Sequence, residues 1–238
     1  MKGLILALQF LTRLPMPRIQ SDAADFARSM RWFPAAGLVV GLVVAGAGWA
    51  GAVLDPWTGA LAALVAWVAV TGALHLDGLS DLADASGAAH KDRERFLAVL
   101  ADPYVGSFGV TAIALQLIAK LVLLHNLIDA KLLVPLILVP FAARIGPLAW
   151  TIWLPPLHAG LAARFATAVR VWDIAGWLAL LAASALLAPA IIVAPVLIGG
   201  WGLWLRVRLG GVSGDCHGAG IELVETGLLI ASLIASRF

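Results

Sequence analysis

The chain has 238 residues, of which 62% are apolar and only 13% charged, and its mean hydropathy is +0.97. These values exclude an ordinary soluble domain, and a net charge of +2 gives no footprint for nucleic-acid binding. A single cysteine, Cys216, excludes an internal disulfide and a Cys-rich zinc site, which leaves oxygen and imidazole as the metal donors open to the chain.

Taken from the N-terminus, the run Leu4 to Leu11 is too short to span a bilayer. It is followed by the Arg and Pro residues of TRLPMPR without a small-residue cleavage site, so it reads as an interfacial anchor helix and not a signal peptide. Apolar stretches then run from Phe33 to Leu54, Trp57 to Leu74, Val105 to Leu124, Leu132 to Leu154, Ile174 to Ala188, Ala190 to Leu205 and Ile221 to Ala235. A bilayer core takes about 20 helical residues, so the pattern predicts an all-α polytopic membrane helix bundle of about seven spans, within a range of roughly six to eight. The whole chain, 1–238, is expected to form one membrane domain.

Charge placement sets the orientation. With the N-terminus cytoplasmic, Lys2, Arg13, Arg18, Arg28, Arg31, Lys91, Arg93, Arg95, Arg164, Arg170, Arg206 and Arg208 all fall inside, against only Lys131 and Arg237 outside. Lys120 and Arg144 fall within the third and fourth spans, where a charge needs a partner or a polar cavity, and both are therefore functional candidates. Gly37, Gly41, Gly46, Gly48, Gly51, Ala62 and Ala63 in the first two spans suit close helix packing.

The most informative segment is TGALHLDGLSDLADASG, where the second span reaches the cytoplasm with His75, Asp77, Asp81 and Asp84. On a helix, offsets of four and seven residues return to nearly one face, at a rise of about 6 Å and about 10 Å from the first acid. Carboxylates stacked in this way repel one another, and a bound cation with oxygen ligands, Mg²⁺ first, relieves that repulsion. Downstream, Arg93 and Arg95 suit a phosphate, and ADPYVGSFG adds Asp102 and a glycine turn with Gly106 whose amides suit an anion. Bland readings stand beside these: the cations also serve as positive-inside residues, and Asp102 before Pro103 also suits a turn cap.

A third cluster, RLGGVSGDCHGAGIELVE, surrounds Gly214, Asp215 and His217 with glycine and then carries Glu222 and Glu225 into the last span. Glycine at that density marks a backbone that bends tightly or approaches a ligand, and the two glutamates can pair with Lys120 or Arg144. Active-site segments are thus expected at 75–109 and 206–225, both on the cytoplasmic side.

FLTRLPMPR, RWFPAAGLVVG, HLDGLSDLADASG, DRERFLAVLADPYVGSFGV and GGVSGDCHGA occur in the order of their counterparts in the cobalamin synthase family, which the chain resembles over nearly its full length. The resemblance implies a multi-pass enzyme of the bacterial inner membrane with its active site facing the cytoplasm. Its implied reaction joins adenosylcobinamide-GDP to α-ribazole or its 5′-phosphate with release of GMP and a requirement for Mg²⁺. It carries over Asp77, Asp81, Asp84, Asp102 and Asp215 as site residues, with His75 and Lys120 behind them, and is compatible with a homo-oligomer and with association with other cobalamin-assembly enzymes. The chain departs from the family pattern at Ala85, Tyr104, Ser213 and His217, and Tyr104 removes a cation expected in the DPYVG turn. Two other readings remain at this point: a CDP-alcohol phosphatidyltransferase-like enzyme, whose DG is followed by a different acidic spacing, and a cation-coupled transporter lined by Lys120, Arg144, Glu222 and Glu225.

Overall fold

The computed structural model of the protein describes residues 1–88 and 92–237, so Lys91, expected among the loop cations, lies outside the described residues. Helices follow one another as α1 (Lys2–Leu11), α2 (Ala23–Ser29), α3 (Phe33–Ala52), α4 (Pro56–Thr71), α5 (Leu74–Ala88), α6 (Arg93–Leu100), α7 (Ser107–Asp129), α8 (Leu133–Ala143), α9 (Gly146–Trp153), α10 (Leu161–Phe165), α11 (Val171–Ser184), α12 (Ala194–Arg208) and α13 (Gly214–Ala235). Among the described residues there is no strand, only an isolated parallel bridge between Pro156 and Val212.

Among the described residues five helical stretches are long and apolar enough to cross a membrane, Ala23–Ala52, Ser107–Asp129, Leu133–Trp153, Pro189–Arg208 and Gly214–Ala235, and the bent pair Pro56–Thr71 with Leu74–Ala88 makes six if it counts as one span, the lower end of the expected range. The sequence pattern suggests seven, and the difference has two local causes. α4 is stopped by Gly72 at φ 60° and Ala73 at φ 59°, and α5 departs from it at 84°, so α5 runs across the end of the bundle. α11 has 14 residues, about 21 Å of helix, which is short for a bilayer core. The stretch from Leu133 to Trp153 is itself two helices meeting at Arg144 and Ile145, with Pro140 inside α8 and Pro147 at the start of α9.

Small residues set how closely the helices approach. A Cβ on Gly37 would lie 2.4 Å from the Pro140 carbonyl oxygen, and one on Gly41 would lie 2.2 Å from that of Ile137, so α3 meets α8 backbone to backbone. The α3–α4 turn closes through Asp55, whose carboxylate accepts the amides of Trp57 (2.8 Å) and Thr58 (3.1 Å). At the N-terminal end of α3, Phe10, Phe26, Phe33 and Phe165 pack ring against ring and hold α1, α2 and α10 to the base of that helix.

The bundle encloses a compensated ion cluster. Lys120 of α7 sits 2.8 Å from Glu222 and 2.6 Å from Glu225 of α13, with its ammonium 4.3 Å from the centre of the Trp67 ring. Arg144, fully buried where α8 ends, donates to Glu225 at 2.8 Å and to the Pro140 carbonyl at 2.9 Å. Gln116 donates to the Glu222 carboxylate and to Thr226, both at 2.8 Å. Two cations thus face two anions, which is how lipid-embedded protein tolerates ionised groups. We predict that Glu225→Ala, which leaves Arg144 without a carboxylate, lowers stability by about 3–5 kcal/mol. Denaturation of the purified protein in detergent would measure this, and a wild-type melting profile would contradict it.

Candidate active site

The acidic stripe lies on α5, and α13 delivers the opposing acid. A Cβ on Gly78 would lie 2.8 Å from the Asp215 carbonyl oxygen, and one on Gly218 would lie 3.3 Å from the His75 Cα. The two helices therefore touch backbone to backbone, a crossing that only glycine permits at position 78. Asp215 is held at the first turn of α13 by Ser213, whose hydroxyl donates to its carboxylate at 3.3 Å while accepting the Cys216 amide at 3.2 Å. The turn leading to Ser213 is pinned in turn: Leu157 N–H donates to the Val212 carbonyl and Val212 N–H to that of Pro155, each at 2.9 Å, and Gly210 supplies φ 72°.

Asp77 is exposed and Asp81 half-buried beside it, and neither they nor Asp215 has a salt-bridge partner among the described residues. Burial together with the negative charges of Asp77, Asp215 and Asp84 pushes the Asp81 carboxyl from its ordinary 3.8 up to about 6. Asp84 has a different environment. It is buried, and its two oxygens accept the amides of Gly106 (2.7 Å) and Gly109 (2.9 Å) where α7 begins. A Cβ at either glycine would come within 2.5 Å of that carboxylate. The glycine turn is thus a nest for an anion, as its sequence suggests, and the anion it holds is Asp84 of the chain itself. Among the described residues no group of three or more His, Cys, Asp or Glu side chains converges as a ready-made metal site, and both oxygens of Asp84 are taken up by backbone amides. These acids offer hard oxygen donors, which suit Mg²⁺ held by one or two carboxylates together with water and substrate phosphates.

A cavity of about 110 Å³ opens between the two helices, lined by His75, Asp77, Gly214, Asp215 and His217 and closed by Phe10 and Leu11 of α1. The guanidinium of Arg144 lies 3.4 Å from His75 Nδ1. Arginine can only donate, so Nδ1 must accept, which leaves the proton on Nε2. That Nε2 is buried without a protein partner.

The remaining sequence candidates are dispersed. Arg93 and Arg95 are exposed on the first turn of α6; Asp102 is exposed and its carboxylate accepts the Tyr104 amide at 3.0 Å, the turn cap that its place before Pro103 suggests. Lys120 is 2% exposed with two carboxylates on its ammonium, in the interior of the bundle and not at the cavity. Sequence reasoning passed over Ser80, whose buried hydroxyl has no partner among the described residues and would stand 2.3 Å from a Cβ on Gly109. It also passed over the Pro155–Leu157 segment that pins the α13 turn, and Thr151, 3.4 Å from His217 Nε2.

A family model described as cobalamin-5-phosphate synthase matches residues 3–233. The chain belongs to the cobalamin-5-phosphate synthase family. Over 238 residues it is 68% identical to the adenosylcobinamide-GDP ribazoletransferase of Novosphingobium aromaticivorans, covering 98% of this chain and 97% of that one. A protein of the same name from Thiobacillus denitrificans is 54% identical, with coverage of 97% and 94%, and one from Brevibacillus brevis is 35% identical with 97% of each covered. No solved structure matches the chain. Membership of the cobalamin-5-phosphate synthase family sets aside the phosphatidyltransferase and transporter readings, and the charges that would have lined a transport path neutralise one another inside the bundle.

The two kinds of acid on α5 should separate experimentally. The Asp81 carboxyl holds its proton more tightly in the folded chain than in the unfolded one, so folded stability of the metal-free protein falls as pH rises through the window from 3.8 to about 6. Asp81→Asn abolishes that loss and melts higher than wild type at pH 7. Asp84→Asn, which removes the charge that two amides bind, lowers stability by about 1.5–3 kcal/mol. Thermal melts at pH 4 and pH 7 check both, and melts in which the two variants shift in the same direction would refute the distinction.

Proposed function

We propose that the protein joins adenosylcobinamide-GDP to α-ribazole or its 5′-phosphate and releases GMP, the final step of cobalamin nucleotide-loop assembly. The reaction takes place with Mg²⁺ on the cytoplasmic face of a bacterial inner membrane. What carries the reading is the meeting of unpaired acids from α5 and α13 across one cavity, in a chain of this family. The excess of Arg and Lys at the end of the bundle that holds the site supports the orientation.

Asp77 and Asp81 would hold the metal, with Asp215 across the cavity left to take the proton. Once bound, Mg²⁺ supplies charge neutralisation on the diphosphate. The residues of the chain do the positioning. A ribose hydroxyl of the acceptor attacks the phosphoryl group attached to cobinamide, a new P–O bond forms, the P–O bond to GMP breaks, and the hydroxyl proton passes to the Asp215 carboxylate. His75 serves as a neutral donor: with Nδ1 facing Arg144, its Nε2–H is free for a phosphoryl oxygen, so it orients the substrate and does not take the proton. Asp84 fixes the Gly106–Gly109 turn beside the acids. Most of the rate acceleration in such transfers comes from position and charge.

The test is GMP release from adenosylcobinamide-GDP by protein purified in detergent or reconstituted in liposomes, with acceptor present or absent and Mg²⁺ added or chelated. Release is expected only with both acceptor and metal, with the cobalamin product appearing in step. Asp81→Asn should lower turnover by about 100-fold or more at saturating Mg²⁺. Unchanged turnover in that variant, or undiminished release under chelation, would overturn the assignment.

A further inference from the structure

A larger cavity, about 330 Å³, lies beyond the C-terminal end of the acidic stripe, between the end of α5, α6, Leu157 and the last turn of α12. Its lining is of two chemical kinds. Arg93 and Arg208 are its cations, and neither has a salt-bridge partner among the described residues. Arg93 reaches toward the turn that follows Arg208, since a Cβ on Gly210 would stand 3.7 Å from its Nη1. Asp92 also borders the cavity, but its carboxylate is engaged at the start of α6, accepting the amides of Glu94 at 2.9 Å and Arg95 at 3.2 Å. Two cations against one carboxylate that is already held by backbone amides leave the cavity net positive, which favours an anion with several oxygens, and guanidinium suits phosphate best.

The larger part of the lining is apolar. Phe96 is buried, Leu157 half-buried, and the Trp204 ring is held by stacking on Trp201 at 4.9 Å between centres and 10° between planes. A fixed indole beside aliphatic carbon suits the face of an aromatic heterocycle. The position along α5 gives the third observation. Ser86 at the cavity edge is five residues beyond Asp81, about 7.5 Å of helix rise. A sugar with its phosphate in this cavity therefore keeps the rest of the molecule within reach of the acids.

We propose that this cavity binds a heterocyclic nucleoside 5′-phosphate, with Arg93 and Arg208 on the phosphate and Trp204, Phe96 and Leu157 against the base. The inference rests on the proposed reaction, which supplies two sources of that chemistry: the phosphorylated acceptor, α-ribazole 5′-phosphate, and the guanosine phosphate half of the donor. Both have a ring, a ribose and a phosphate, and the two arms of one experiment separate them.

The experiment compares wild type, Arg93→Ala, Arg208→Ala and Trp204→Leu in detergent or liposomes. It measures KM for α-ribazole, for α-ribazole 5′-phosphate and for adenosylcobinamide-GDP, together with direct binding of GMP and of α-ribazole 5′-phosphate by calorimetry. Arg206→Ala, on α12 but outside the cavity, controls for bulk charge, Arg208→Lys for partial rescue, and melting temperature for folding. If the acceptor occupies the cavity, each arginine variant raises KM and weakens binding for the phosphorylated acceptor by about 10-fold or more while leaving unphosphorylated α-ribazole unchanged. If the guanosine phosphate occupies it, the same loss falls on adenosylcobinamide-GDP and GMP and spares both acceptors. Trp204→Leu weakens whichever ligand the arginines bind. Arginine variants that match Arg206→Ala for every ligand, in a preparation whose wild type turns over, would overturn the cavity assignment and leave the reaction standing. A wild type that releases no GMP, yet loses nucleotide binding in the arginine variants, would overturn the reaction and keep the cavity.

Discussion

Lipid offers no solvation for an ionised side chain, so the charges of Lys120, Arg144, Glu222 and Glu225 must cancel among themselves wherever the helices that carry them pack. That requirement fixes more than the interior. Glu222 and Glu225 lie on the same rigid helix as Asp215, seven and ten residues along it, about 10 Å and 15 Å of rise. Once they are seated against Lys120 and Arg144, the rotation and height of α13 are set, and the end of the helix must present Asp215 where it does. Arg144 extends the constraint to α5 through His75, two residues before Asp77. Neutrality in the core therefore aligns the two helices whose acids meet at the cavity.

The two groups of charges contrast. Deep in the bundle each carboxylate has a cation at 2.6–2.8 Å, and the arrangement is locked. At the end of the bundle where α5 meets α13, Asp77, Asp81 and Asp215 have no such partner among the described residues, and burial together with the neighbouring negative charges pushes the Asp81 carboxyl up. A chain that takes care to pair its buried charges leaves these open, which is the signature expected of groups kept for a ligand. Asp84 falls between the two kinds: an acid from the same stripe, but satisfied by backbone amides, so it contributes to the site through the loop it holds.

Much of this was legible in the residues. Apolar runs and cation placement indicated a helical membrane bundle, the Asp77–Asp84 spacing indicated an acidic face, and the pairing of Glu222 and Glu225 with Lys120 and Arg144 followed from the rule against lone charges in lipid. What periodicity could not show was where helices stop and who faces whom. A helical wheel places Asp84 with Asp77 and Asp81 but is blind to the glycine turn, more than 20 residues on, that captures it. Apolar content extends the second span through Leu74, while the backbone turns at Gly72 and Ala73 for reasons of φ alone. Lys120 was singled out correctly as an ion needing a partner, yet only packing decides whether that partner is substrate or glutamate.

The substrates are water-soluble, which makes a membrane scaffold appear superfluous until the site is traced back to its supports. Several candidate site groups sit close to a helix end or a tight turn: Asp215 on the first turn of α13, Asp84 of α5 against the start of α7, and His75 on the first turn of α5 after the bend. Such positions are accurate only if the helices behind them do not shift, and each of those helices is fixed by contacts inside the bundle, through glycine approaches at Gly37 and Gly41, the Gly78–Asp215 crossing and the ion cluster. With the supporting shell buried in lipid, short polar turns suffice to build the site, and few residues need face water. The low charge content that opens the sequence is thus consistent with an enzyme, because the chemistry is confined to one end of a scaffold whose apolar bulk holds it in place.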